Sequence, residues 1–110
     1  MRLRQRAHEA HRNGHTGMAK ELYKKLLDED CIPEDVGNLG SLFTADKQLP
    51  EAIALYEKYL LIWPRNYQLL FNASNTYTKA GKTKESIDLL TLAIEINPND
   101  LSLIKKLTKL

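Results

Sequence analysis

Apolar residues recur along the chain at the three- and four-residue intervals of amphipathic helices, and short polar breaks separate the apolar segments. In the clearest segment, residues 51–64, the apolar and aromatic positions are Ile53, Leu55, Tyr56, Tyr59, Leu60 and Ile62. A similar segment ends at Pro98, 34 residues after Pro64 (98 − 64 = 34). No segment has the strict alternation of a half-buried strand. The pattern therefore predicts an all-α chain built from a repeated unit.

The polar breaks predict seven helices, over about residues 3–13, 17–29, 34–46, 50–63, 67–80, 83–96 and 101–110. Gly14 and Gly81 are expected to end two of these helices in the left-handed conformation. The side chains of Thr16, Asn66 and Thr83 are expected to cap the helices that follow them. Because the loops are short, neighbouring helices should be antiparallel. Seven helices then form three hairpins and one remaining helix.

Small and bulky residues alternate at fixed places in the predicted hairpins. The small residues are Ala7, Gly40, Ser74, Ala19, Ala52 and Ser86, and the bulky ones are Phe43, Tyr77, Tyr23, Tyr56 and Leu90. This arrangement resembles the tetratricopeptide repeat, a helix–turn–helix unit of 34 residues. The resemblance implies a right-handed α-solenoid in one domain, residues 1–110, with repeats at about 1–32, 33–66 and 67–100 and a capping helix at 101–110.

The chain departs from the family pattern at several positions. Leu3, Val36, Leu70 and Ile104 stand where the family often has Trp, and the first repeat lacks the terminal proline near Cys31. Tyr59 stands where Ala is usual. This large residue predicts either a displaced neighbour or a locally wider gap between helices.

The resemblance also implies where a ligand binds, because the first helices of such pairs line a groove that holds extended peptides. The predicted site residues are Arg4, Gln5, His8, Arg12, Asn38, Ser41, Asn72, Asn75 and Lys79, and the wider surface adds His11, Thr44, Ala45, Phe71 and Thr78. We therefore predict a scaffold or adaptor that binds a peptide or a partner protein, and no intrinsic enzymatic activity.

Two known groove chemistries can be compared with these positions. Chaperone-binding relatives hold a terminal carboxylate with Lys, Asn and Arg, but here the third repeat offers the neutral Gln68 and Asn72. Asn38 and Asn72 occupy the same repeat position (72 − 38 = 34), with Gln5 in the corresponding place. This is similar to the asparagine ladder of O-linked N-acetylglucosamine transferases, in which primary amides bind a peptide backbone. The alternative is that these amides are merely solvated.

A second resemblance concerns residues 7–27, which look like the repeats that precede the catalytic domain in bacterial transferases. This resemblance implies an alternative function, the N-terminal substrate-recruiting module of a glycosyl-, sulfo- or methyltransferase. It also suggests a bacterial source.

Composition narrows the possible partners and compartments. Sixteen Lys and Arg against 14 Asp and Glu leave a charge of +2, too small to imply nucleic acid or an anionic membrane as a partner. The basic cluster at Arg2, Arg4, Arg6 and Arg12 has no neighbouring aromatic residues for base stacking. A single cysteine, Cys31, indicates a reducing compartment, so we expect the cytoplasm. We expect neither a signal peptide nor a membrane span.

Metal and catalytic sites are not expected. His8, His11 and His15 have helical spacing, but Gly14 should end the helix before His15. No nucleophile is spaced with a base, and no glycine-rich phosphate loop is completed. We therefore expect no metal and no cofactor.

The last predicted helix is amphipathic, with leucines and Ile104 on one side and Lys105, Lys106 and Lys109 toward water. Its inner side should cover the third repeat, while its outer side has no partner helix. The sequence leaves two alternatives open: self-association through Leu101 to Leu110, or a chain that once continued further.

Overall fold

Seven α-helices follow one another in the computed structural model, which describes residues 2–109. They are α1 (Leu3–Arg12), α2 (Thr16–Glu29), α3 (Pro33–Ala45), α4 (Leu49–Ile62), α5 (Tyr67–Lys79), α6 (Thr83–Ile96) and α7 (Leu101–Thr108). No strand occurs within this part of the chain. The predicted all-α class is therefore confirmed.

The helices stack as successive pairs. The helices of each pair pack against each other (α1 on α2, α3 on α4, α5 on α6), and the next pair is joined through the α2–α3 and α4–α5 contacts. α3 also touches α5, and α7 packs on α6. The molecule is elongated, with principal extents of 41 × 24 × 23 Å. This is the predicted solenoid of three helix pairs and a terminal helix, and α1, α3 and α5 line one of its surfaces.

The core follows the alternation of small and bulky residues. Ala7, Ala19 and Ala52 have no exposed surface, and neither do Tyr23 and Tyr56. Small side chains let helices approach closely, so that the aromatic rings fill the space between them. One buried cluster extends from α1 to α5, and a second joins α5, α6 and α7 around Leu70, Leu90, Ala93 and Leu103.

Some positions in the apolar pattern are not in the core. Among the apolar positions of residues 51–64, Tyr56 and Tyr59 are buried and Leu55 and Leu60 are half-buried. In contrast, Ile62, at the end of α4, is 56% exposed. The axial position of each helix in the stack decides which residues at the edge of a stripe are covered.

Tyr59 lies beside the turn between the first two repeats. Its ring stacks on that of Trp63, with centroids 6.1 Å apart and planes at 16°. The phenol lies beside Cys31, in the turn where the first repeat lacks its proline, and only 7% of Tyr59 is exposed. The two alternatives that the sequence left open, a displaced neighbour or a locally wider gap, both stay predictions.

The helix ends show which local predictions were correct. Gly14 and Gly81 have φ values of +77° and +78°, as predicted. Asn66 caps α5, because its side-chain oxygen accepts a hydrogen bond from the Leu69 amide at 3.1 Å. The predicted caps Thr16 and Thr83 are wrong.

Both threonines are the first residues of their helices, and the preceding residues, His15 and Lys82, make no side-chain cap. The turn after each left-handed glycine is closed by the backbone instead. The His15 amide donates to the Ala10 carbonyl and the Lys82 amide to the Tyr77 carbonyl, each at 2.8 Å. Each of these two helices therefore includes the threonine as its first residue.

Asn66→Ala is expected to lower the free energy of unfolding by about 1 kcal/mol, because the Leu69 amide loses its partner. Thr83→Ala is the matched control, and we expect a change within about 0.5 kcal/mol, since Thr83 is exposed and caps nothing. Urea unfolding followed by circular dichroism measures both. Equal losses in the two variants would contradict the assignment of the caps.

The terminal helix α7 covers the third repeat on one side only. Leu103 is 1% exposed and belongs to the second cluster, whereas Leu101 is 68% exposed. Lys106 was predicted to face water, but this is wrong: its ammonium lies 5.0 Å from the centroid of the Phe71 ring, a cation–π contact. Desolvation there lowers the pKa of Lys106. Leu110 lies outside the described residues, and self-association through this end stays a prediction.

Candidate functional site

Three depressions follow one another along the surface formed by α1, α3 and α5. The first is lined by His8, His11, Arg12, Tyr23, Glu34 and Asn38. The second is lined by Pro33, Glu34, Gly37, Asn38, Asn66, Gln68 and Asn72. The third is lined by Ser41, Thr44, Ala45, Tyr56, Asn72, Asn75, Thr76 and Lys79. Because neighbouring depressions share residues, they form one continuous surface, which we call the groove.

Most predicted site residues lie in the groove. Those that line it are His8, Arg12, Asn38, Ser41, Asn72, Asn75 and Lys79. Gln5 is exposed on α1 but lies outside the three depressions, so the amide of the first repeat does not join the other two. The binding role of all these residues stays a prediction.

Arg4 makes an ion pair within the chain. Its Nε lies 3.0 Å from Asp35 Oδ1 and its Nη2 lies 2.8 Å from Oδ2, while Nη2 also donates to the Asp30 carbonyl at 2.7 Å. Asp35 is fully buried and accepts a further bond from the Ile32 amide at 3.3 Å. These interactions raise the pKa of Arg4 above its usual range. A ligand could use this guanidinium only by competing with a buried carboxylate.

The amides of the second and third repeats do come together. Asn38 and Asn72 are both half-buried and line the second depression. The Gln68 side chain donates to Asn72 Oδ1 at 3.1 Å, which fixes the orientation of this amide. Gly37 leaves room for it, since a Cβ at that position would lie 3.1 Å from Asn72 Nδ2. The resulting surface carries amide donors and acceptors with little charge.

The wider predicted surface needs two corrections. Thr78 does not face the groove: its Oγ1 lies 2.6 Å from Ser86 Oγ and donates to the Ser74 carbonyl at 2.9 Å, so it joins α5 to α6. Phe71 faces the terminal helix, where it meets Lys106. The rotation of α5 in the stack decides both placements.

Sequence reasoning missed a contribution from the second helices. Tyr23 of α2 and Tyr56 of α4 line the first and third depressions, although they were interpreted as packing residues only. A possible signal was present in the sequence, because Gly40 stands in α3 where a neighbouring ring could pass. Desolvation raises the pKa of both tyrosines to about 12, so both phenols are neutral near neutral pH.

Few charged side chains line the groove: Arg12 and Glu34 lie in the first depression and Lys79 lies in the third. His8 Nε2 lies 3.5 Å from Glu34 Oε1. His15 lines a different depression, with Arg6, Met18 and other residues, so the three histidines do not share one site. Residues 2–109 contain no group of three side chains placed to hold a metal ion.

Stacked antiparallel pairs, each packed against its neighbours, define an α-helical repeat protein. A profile of the tetratricopeptide repeat family matches residues 43–110. The chain therefore belongs to the tetratricopeptide repeat family. No curated protein matches its sequence significantly.

Several solved structures share the fold. The first tetratricopeptide domain of Spaghetti (RPAP3), bound to the HSP90 peptide SRMEEVD, has a TM-score of 0.89 at 18% identity over 97% of this chain and 86% of that one. A tetratricopeptide repeat protein from Parabacteroides merdae has a TM-score of 0.85 at 22% identity, over 96% and 43%. The Yersinia enterocolitica type III secretion chaperone SycD, in complex with a peptide of the translocator YopD, has a TM-score of 0.82 at 21% identity, over 97% and 82%.

Within residues 2–109, no helix has the length and apolar character required to cross a bilayer.

Proposed function

We propose that this chain is a protein-interaction scaffold that binds an extended peptide, or an extended segment of a partner protein, in the groove. The observation that carries this proposal is the pair of half-buried amides, Asn38 and Asn72, in one depression. A primary amide donates and accepts at once, so it can pair with both groups of a peptide backbone. Asn75 extends the same chemistry into the third depression.

The comparisons support this proposal at the level of fold. The domain of Spaghetti and the chaperone SycD both belong to structures in which a peptide is bound. Their identities to this chain are 18% and 21%, so neither partner transfers to it. A terminal carboxylate is a poor candidate ligand here. Arg4 is held by Asp35, and the third repeat presents the neutral Gln68 and Asn72 in place of cations.

The double variant Asn38→Ala/Asn72→Ala is expected to weaken peptide binding about tenfold or more, since each lost hydrogen bond contributes about 1 kcal/mol. The probe is a peptide enriched on the wild-type chain from a display library of random peptides, labelled with fluorescein and measured by fluorescence anisotropy.

Asn99→Ala is the matched control, because Asn99 is exposed in the turn before α7 and should leave the affinity unchanged. Circular dichroism checks that each variant is folded. The proposal fails if the wild-type chain enriches no peptide, or if every enriched peptide binds the double variant as tightly as the wild type.

The alternative setting, a recruiting module of a transferase, uses the same groove and stays a prediction. An open reading frame that continues past codon 110 into a catalytic domain would favour it, whereas a stop codon would favour a free-standing adaptor. Cys31 is a free cysteine, and the reducing cytoplasm stays the compartment that we expect.

A further inference from the structure

Two tyrosine hydroxyls lie beneath the groove without a hydrogen-bond partner. Tyr23 and Tyr56 have no exposed surface, and no other described residue bonds to their hydroxyls. They occupy the same place in the first and second repeats (56 − 23 = 33), on α2 and α4. The third repeat has Leu90 in this place, 34 residues further on (90 − 56 = 34).

Each phenol reaches the groove from below, through the layer of first helices. Tyr56 passes Gly40 of α3 so closely that a Cβ there would lie 2.3 Å from its hydroxyl oxygen. The other residues around its end of the groove come from α3 and α5. Tyr23 lies beside α1, with its ring centroid 5.9 Å from that of His8 and 6.3 Å from that of His11, and it lines a depression together with Asn38 of α3.

An unpaired buried hydroxyl is unfavourable, because it has lost its hydrogen bonds to water and has formed none within the protein. Phenylalanine would fill the same space without this cost. Both phenols keep their proton at neutral pH, as an ordinary tyrosine does, and desolvation raises the pKa of each further, to about 12. Each therefore offers an O–H donor that the free chain leaves unused.

Polar side chains on the groove surface separate these donors from solvent. Asn38 lies next to the Tyr23 phenol and Ser41 next to that of Tyr56. Each acts on its phenol as a donor and lowers the pKa against the larger effect of desolvation, but neither pair has full hydrogen-bond geometry, and the phenol O–H has no acceptor. Ser41 is exposed and Asn38 is half-buried. Rotation of such a side chain is a fast, local motion that would open a path to the hydroxyl beneath.

We propose that the Tyr23 and Tyr56 hydroxyls donate hydrogen bonds to two backbone carbonyls of the bound peptide, and so fix its position along the groove. Asn38 and Ser41 turn aside to bond the same peptide, which uncovers the two donors. The ligand class is an extended peptide whose carbonyls are free to accept. Leu90 leaves the third repeat without such a donor. This inference rests on the proposed function of the groove.

Tyr23→Phe and Tyr56→Phe are each expected to weaken binding of the fluorescein-labelled display peptide about three- to tenfold, the effect of one net hydrogen bond. The double variant should show roughly the product of the two effects. Tyr59→Phe is the matched control, because Tyr59 is also buried but lies beside Cys31, outside the groove. Its affinity should equal that of the wild type.

Peptides that carry one backbone ester identify which peptide carbonyls accept hydrogen bonds from the two tyrosines. Replacing one peptide amide by an ester weakens its carbonyl as an acceptor. At two positions of the peptide, the ester should therefore weaken binding to the wild-type chain strongly. At each position it should weaken binding only slightly to the phenylalanine variant of the tyrosine that donates to that carbonyl. The unfolding midpoint of the free chain should stay the same or rise in both phenylalanine variants, since an unpaired hydroxyl is removed.

The outcomes separate this inference from the proposed function. A wild-type chain that enriches no peptide overturns both. A peptide that binds the wild type and both phenylalanine variants equally overturns only the role of the hydroxyls. A lower unfolding midpoint in the free variants also overturns it, because the hydroxyls would then be paired within the chain.

Discussion

Arg4→Ala should destabilise the folded chain by about 3–5 kcal/mol, the cost of leaving a buried charge without its partner. Asp35 has no exposed surface, and two of its hydrogen bonds come from the Arg4 guanidinium, at 3.0 and 2.8 Å. The pair joins α1 to α3, so its loss also loosens the contact between the first two repeats. Urea unfolding followed by circular dichroism measures the effect, which is a large part of the stability of an ordinary domain.

Two further variants test the cause of this loss. Arg6→Ala is the matched control, because Arg6 is exposed on the same helix and forms no ion pair within residues 2–109; we expect a change within about 0.5 kcal/mol. Arg4→Met/Asp35→Leu removes both charges and should recover most of the stability. If Arg4→Ala and Arg6→Ala cost the same, the ion pair does not stabilise the fold.

Gly40→Ala should cost about 2–3 kcal/mol, although alanine is the better helix former. The added Cβ would lie 2.3 Å from the Tyr56 hydroxyl oxygen and 2.4 Å from its Cζ, so the ring or the helix has to move. The first repeat holds Ala7 in the place of Gly40, but α1 is at the end of the stack and packs mainly on α2. α3 packs against α2, α4 and α5 and has less freedom.

Two further substitutions provide the control and the rescue for Gly40→Ala. Gly17→Ala, in α2, meets nothing within 4 Å and should be neutral or stabilise by up to about 1 kcal/mol. Adding Tyr56→Leu to Gly40→Ala should cost less than the two changes summed, because the third repeat already pairs Leu90 with Ser74. Thermal unfolding compares the wild type with Gly40→Ala, Tyr56→Leu, the double variant and Gly17→Ala. Additive losses would show that the two side chains do not collide.

Most of the fold could be predicted from the sequence, but only part of the candidate site. The period of apolar residues depends on the chain alone, and it located all seven helices. The amides Asn38 and Asn72 could be placed together because both occupy one repeat position. Arg4 could not be placed correctly, since its partner Asp35 is 31 residues away and nothing in the local pattern pairs them.

The sequence by itself therefore determined the helices, their repeat and the left-handed glycine turns, because these depend on residues only a few positions apart. Only the tertiary structure decided which side chains face the groove. The axial shift and rotation of each helix in the stack moved Thr78 out of the groove and left the Tyr23 and Tyr56 hydroxyls beneath it. These displacements depend on packing between residues that are far apart in the sequence, so a local pattern cannot predict them.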